Sequence, residues 1–164
     1  VARFAGRQAE KRYLALVWGH PRPAAGTWDA RLGPDTKDRR RMKVDPQGRP
    51  ALTEYRALAR AAHVALLELT PRTGRTHQLR VHVAAAGHPI VGDDLYGGPR
   101  EHGVRSPALR AALSPGRSLL HAFRLSIPGL EPESFEAPVP ADFRAALAAC
   151  RIAPEASLAI PPKP

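Results

Sequence analysis

Cysteine is nearly absent from this sequence: Cys150 stands alone, so no internal disulfide can form. No apolar run approaches the roughly 20 residues that cross a bilayer, and no basic leader with an apolar core and cleavage site opens the chain. A soluble protein of the reducing cytoplasm, with no membrane contact, is expected. No internal repeat or heptad pattern occurs, so neither a repeat nor a coiled-coil architecture is expected. Acids are scarce as well: fifteen against twenty-five lysines and arginines, for a net charge of +10. Such a surplus attracts polyphosphate and makes nucleic acid the leading partner class, although arginines spread over solvated faces give the same composition. The distribution favours the first reading. Residues 1–14 carry four bases and one acid, 19–50 eight and four, and 70–80 three and none, whereas 128–164 carry three bases and five acids.

A chain of 17.7 kDa can enclose one hydrophobic core with little left over, so a single domain over residues 1–152 is expected, followed by a proline-rich tail at 153–164. The opening residues from Val1 read as the middle of an element, and residues 1–164 are expected to be a piece of a longer polypeptide. Tyr13–Trp18 is a short apolar run ending at Gly19, which suits a buried strand. Residues 19–50 form a long basic excursion with two strand-like pieces, Gly26–Leu32 and Arg41–Val44. Thr53–Leu58 and His63–Leu69 suggest an antiparallel pair, although the intervening alanines leave a helix open. A helix from His77 to Ala86 is marked by Thr76 as its cap, by the stripe Leu79, Val83, Ala86, and by Gly87 at its exit. A short helix at Pro107–Leu113, a strand at Leu119–Ile127, an edge strand at Phe135–Pro140 and a terminal helix at Ala141–Arg151 complete the reading, with Phe143 and Leu147 facing inward.

The densest chemistry lies in Thr73-Gly-Arg-Thr-His-Gln-Leu-Arg-Val-His82, which gathers donors around a helix entrance where backbone N–H groups already favour an anion. Arg80 falls on the shoulder of the apolar stripe, so its stem is expected to be partly buried with its guanidinium facing a cleft. Its neighbours three and four residues away are Thr76, His77, Val83 and Ala84, and none is a carboxylate. Arg75 likewise meets Pro71, Arg72, Gln78 and Leu79, so both arginines must look to distant residues or to a ligand. His77, His82 and His88 are spaced by five and six residues, which fits no familiar metal pair. His77 and Gln78 are expected to donate to phosphate or base edges, whereas His82 and His88 fit equally well as satisfied packing residues, and Asp93 and Tyr96 read as turn and core. The run Arg39-Arg40-Arg41 is either a phosphate contact or a solvated patch.

This motif, with Gly87-His-Pro-Ile-Val-Gly-Asp93 and Leu95-Tyr-Gly97, resembles the signature of the RluA-type pseudouridine synthases. Glu10-Lys-Arg-Tyr-Leu-Ala-Leu-Val17 is similar to the segment that carries that family's active-site tyrosine. Leu120-His-Ala122 and Phe135-Glu-Ala-Pro-Val-Pro-Ala-Asp-Phe143 are similar to its closing elements. The resemblance implies an α+β fold: a mixed, mostly antiparallel central sheet with flanking helices, here truncated at its N-terminal side. It implies isomerisation of uridine to pseudouridine in structured ribosomal or transfer RNA, at a stem-loop or bulge, after the base is flipped into a pocket. Tyr13 would lie against the base, Leu79 would wall it, and Arg80 would hold the nucleophilic aspartate ionised. That aspartate belongs to a His-Arg-Leu-Asp-type motif that does not occur here, so these residues alone are expected to be inactive. Lys11, Arg12, Arg39, Arg40, Arg41, Arg75, His77 and Gln78 would bind RNA; no cofactor and no metal are implied, and a monomer is expected. The rivals are a noncatalytic RNA-binding module with the same fold, and a basic DNA-binding protein that would present a recognition helix to the major groove.

Overall fold

The computed structural model describes residues 9–98 and 100–153; most of the expected tail, and the segment before residue 9, lie outside them. Strand β1 (Glu10–Trp18) alternates in the way period-two geometry requires. Leu14, Leu16 and Trp18 enter one apolar cluster, while Tyr13, Ala15 and Val17 face another. The excursion then supplies β2 (Ala25–Asp29), β3 (Leu32–Pro34) and β4 (Met42–Val44). The single strand expected at Gly26–Leu32 is thus two strands in different sheets: β2 joins the main sheet, and β3 pairs with β4 as a separate hairpin.

Strands β5 (Leu52–Arg60) and β6 (Val64–Pro71) form the expected antiparallel pair across a tight turn, which closes the helical alternative for the alanines. Residues Val64–Thr70 are all buried, which explains why β6 reads as a nearly continuous apolar run rather than an alternating one. Strands β7 (Leu120–Ser126) and β8 (Ser134–Glu136) complete a six-stranded sheet in the order β2-β5-β6-β1-β7-β8. Every pairing among the described residues is antiparallel, and β8 lies at the edge as expected.

Among the described residues, three α-helices flank the sheet. On one face, α1 (Gln78–Ala85) sends Leu79 and Val83 against Ala15, Val17, Leu67 and Leu69. On the other, α2 (Pro107–Ala112) and α3 (Ala141–Ala149) cover Leu14, Leu16, Leu66 and Phe123, with Phe143, Ala146 and Leu147 of α3 fully buried. Ala86, expected on the inner stripe of α1, is exposed because the helix has already ended. Gly87 follows with φ 85°, the left-handed exit that residues bearing a Cβ resist.

After α1 the chain turns back to the sheet and runs beside the end of β1. Val91 N–H donates to Leu16 O at 2.9 Å, and Leu119 N–H donates to Val91 O at 2.9 Å, so this connection is sewn between β1 and the start of β7. Gly92 has φ 75°, and a Cβ there would meet Arg117 O at 2.1 Å, which leaves no room for any other residue. The turn delivers Asp93 beneath α1.

Two phenylalanines of the C-terminal part, Phe135 and Phe143, provide a stability test. Phe143 is wholly enclosed, and Phe143→Ala is expected to cost about 3–5 kcal/mol in urea denaturation. Phe135 keeps 43% of its surface exposed, and Phe135→Ala is expected to cost under about 1 kcal/mol in the same measurement.

Candidate active site

The loop from β6 into α1 is shaped by one buried side chain. Gln78 Oε1 accepts from Thr73 Oγ1 at 2.7 Å and from Arg75 N–H at 3.0 Å. Its Nε2 donates to Leu52 O at 2.9 Å and to Thr53 Oγ1 at 3.0 Å, tying the loop to β5. Both amide protons are therefore spent inside the protein, and the expectation that Gln78 donates to RNA fails for want of a donor. Thr76 does not cap α1 either. His77 is the boundary residue, at φ 54° and ψ 18°, without a side-chain cap, because the Gln78 amide already organises the turn.

His82 continues this network. Its Nε2 faces the Ala30 carbonyl at 3.2 Å, an acceptor only, so that nitrogen carries the proton. Nδ1 then accepts from Thr53 Oγ1 at 2.8 Å, while Thr53 Oγ1 accepts from Gln78. The ring is neutral, satisfied and 2% exposed, which is the packing role that the sequence left open. His88 is likewise held, with Nδ1 3.0 Å from Trp18 O.

Arg80 has a carboxylate partner after all. Its Nε donates to Asp93 Oδ2 at 2.8 Å and its Nη2 to Asp93 Oδ1 at 2.7 Å, a bidentate pair with Asp93 completely enclosed and Arg80 23% exposed. Of the two alternatives the sequence left open, a distant residue or a ligand, the first is realised: the connection after α1 returns Asp93 from thirteen residues away. Asp93 Oδ1 also accepts from the N–H groups of Leu95 and Tyr96, so Asp93 is a turn residue and an ion-pair partner together. This contact holds the guanidinium's pKa above its ordinary value.

Tyr96 is equally more than core. The Arg80 guanidinium lies 4.9 Å from its ring centroid and that of Arg41 lies 5.3 Å away. Its hydroxyl accepts from Met42 N–H at 2.8 Å and meets His77 Nδ1 at 2.8 Å, coupling the β3–β4 hairpin to the entrance of α1. Burial, and then the nearby Arg80 charge, push the His77 pKa down, so the ring approaches any ligand as a neutral group.

A pocket of about 410 Å³ lies where β1, the loop and α1 meet. It brings together Tyr13, Leu79 and Arg80, the three residues expected around a base, with Lys11, Arg75 and His77 at its walls. Arg75 Nε donates to Pro50 O at 2.9 Å, which holds the side chain without neutralising it. Thr73 and Leu120 also line the pocket and were not singled out from sequence. Leu120 had a signal in Leu120-His-Ala122, and Asp93 and Tyr96 had one in their own motif.

Other expected RNA contacts lie elsewhere. Arg12 projects from the opposite face of β1 to Lys11 and Tyr13, where it pairs with Glu10 at 2.8 Å and approaches Glu68 at 3.9 Å. It is structural, as strand alternation demands. The Arg39–Arg41 run divides: Arg40 pairs with Asp38 at 2.8 Å, Arg41 lies over Tyr96, and Arg39 is exposed. Among the described residues no cluster of three or more potential ligands could hold a metal, and no helix is long and apolar enough to cross a membrane.

Comparison with known proteins bears on this geometry. The profile of the RNA pseudouridylate synthase family matches residues 1–85. An uncharacterized RNA pseudouridine synthase of Chloroflexus aurantiacus is 45% identical over 146 residues, covering 86% of this chain and 42% of that protein. The dual-specificity RNA pseudouridine synthase RluA of Escherichia coli K12 is 45% identical over 126 residues, covering 76% of this chain and 53% of that protein. Among solved structures, human RNA pseudouridylate synthase domain containing 1 superposes with a TM-score of 0.64 at 35% identity, covering 87% of this chain and 59% of the other. The chain thus spans about half the length of these curated relatives.

Burial of His82 has a consequence for pH. Loss of solvent lowers its pKa below the ordinary 6.5, so the folded ring stays neutral where an unfolded chain takes up a proton. Its contribution to stability is present above the unfolded value and is lost as pH falls through the window below it. The thermal midpoint is expected to drop between about pH 7.5 and about pH 5.5, and His82→Gln should flatten that drop.

Proposed function

The chain belongs to the RluA-type family of RNA pseudouridine synthases, and from that premise we propose that it forms the greater part of an active site that isomerises uridine to pseudouridine in structured ribosomal or transfer RNA. The observation that carries this reading is that Tyr13, Leu79 and Arg80 line one pocket of about 410 Å³, within the range that encloses small ligands. The substrate uridine leaves its stack to enter, at a cost of about a few kcal/mol, which favours unpaired bases in loops and bulges. Lys11 and Arg75 draw in the flanking phosphates.

The reaction replaces the C1′–N1 bond of the nucleoside with a C1′–C5 bond; N1 gains a proton and C5 loses one, so no cofactor is consumed. Tyr13 stacks on the uracil and accepts the C5 proton. Leu79 holds the ring from the other side while it turns. An aspartate outside residues 1–164 supplies the carboxylate that assists detachment, for no aspartate of this sequence stands in a His-Arg-Leu-Asp context. Arg80 orients that carboxylate and keeps it ionised.

A noncatalytic RNA-binding module is the second reading, and one observation favours it: Arg80 already has a carboxylate counter-ion in Asp93 of this chain. Pseudouridine formation on ribosomal and transfer RNA stem-loops, assayed with the protein as its gene encodes it, separates the two. The enzyme reading expects turnover that falls by about 10²–10³-fold in Arg80→Ala and by about 10²–10⁴-fold in Tyr13→Phe, with none from residues 1–164 alone. RNA binding without any product in the unsubstituted protein would leave only the module.

A further inference from the structure

A guanidinium has two edges able to grip a planar anion: a side edge made by Nε and Nη2, and an end edge made by Nη1 and Nη2. In Arg80 the side edge is fully taken, with Nε on Asp93 Oδ2 at 2.8 Å and Nη2 on Asp93 Oδ1 at 2.7 Å. The end edge has no protein acceptor among the described residues, while the side chain lines the pocket and is 23% exposed. Tyr96 lies against the flat face, its ring centroid 4.9 Å from Cζ. One edge and one face are therefore fixed.

Asp93 is itself immobile. Oδ1 accepts from Leu95 N–H at 3.2 Å and Tyr96 N–H at 3.1 Å, and the backbone beneath it is pinned by Gly97 N–H donating to Asp93 O at 2.8 Å. Its side chain has no exposed surface and is not part of the pocket wall, which excludes it as the group that attacks a nucleoside.

From this geometry, and resting on the proposed isomerase reading, we infer that Asp93 is a positioning residue: it clamps the side edge of Arg80 so that the end edge is aimed into the pocket to meet the catalytic carboxylate that the proposed reading brings there. Arg80 is shared, with Asp93 behind and the reacting group in front. Without the clamp, an arm of three methylenes swings among several rotamers, and the productive arrangement becomes one of many. Tyr96 contributes by restricting rotation of the guanidinium plane.

Asp93→Asn provides the test, since the amide oxygen can still accept from Leu95 and Tyr96 while the charge and one acceptor for Arg80 are lost. In the protein as its gene encodes it, single-turnover pseudouridine formation on a stem-loop RNA is expected to fall by about 10²-fold, with RNA Kd changed by less than about twofold. A near-normal rate in Asp93→Asn, with Arg80→Ala inactive, would overturn the clamp and leave the isomerase reading intact. Full activity of Arg80→Ala would remove that reading and the clamp with it. Should Asp93→Asn fail to fold, the Arg80 Nε–H resonance of ¹⁵N-arginine-labelled unsubstituted protein decides. A slowly exchanging signal that survives RNA binding supports the clamp, and its loss on binding overturns it.

Discussion

The carboxamide of Gln78 is the hinge on which the site is built. It is 4% exposed and uses both protons and its oxygen to join four groups from β5 and the preceding loop; one of them, Thr53, passes the connection to His82 and from there to Ala30. Each buried donor left unmatched in such a circuit costs about 1–3 kcal/mol, more than a typical hydrogen bond contributes. Its value lies in having no unmatched member. The circuit sets the height and rotation of α1 on the sheet, and with them where Leu79 and Arg80 emerge.

Much of this architecture was legible from residues alone, for physical reasons that differ by element. The strands were visible because Tyr13–Trp18 of β1 and Val64–Leu67 of β6 are continuous apolar runs, the pattern that burial on both faces imposes. Helices α1 and α3 were visible from their inner stripes, and Gly87 marked an exit that only a residue without Cβ takes freely. The Arg12 contact was legible and misassigned: one position along a strand reverses the face, so a residue between Lys11 and Tyr13 belongs with Glu10 and Glu68. The Arg80 pair was not legible from local spacing. It depends on a connection that pairs alongside β1 before it turns, and no pattern along α1 encodes where that loop stops.

Charge also looks different once folded. Among the described residues, Arg12, Arg40, Arg56, Arg72, Arg80, Arg117 and Arg124 all meet carboxylates, most of them near the surface, where such pairs contribute little to stability. Their pairing makes locally neutral patches and leaves the surplus of +10 on the bases outside the pairs. Lys11 and Arg75, at the pocket wall, are among the bases outside those pairs, so their charge is available to an anionic strand at the pocket.

Tyr96 ties the hairpin to the pocket in a way that reaches beyond either. Its ring receives both Arg41 and Arg80, and its hydroxyl holds Met42 and His77. Changes at these positions therefore cannot be additive, because each alters the surface that the others rest on. Over evolutionary time the hairpin and the helix entrance are bound to drift as one block, each tolerated replacement on one side narrowing what the other will accept.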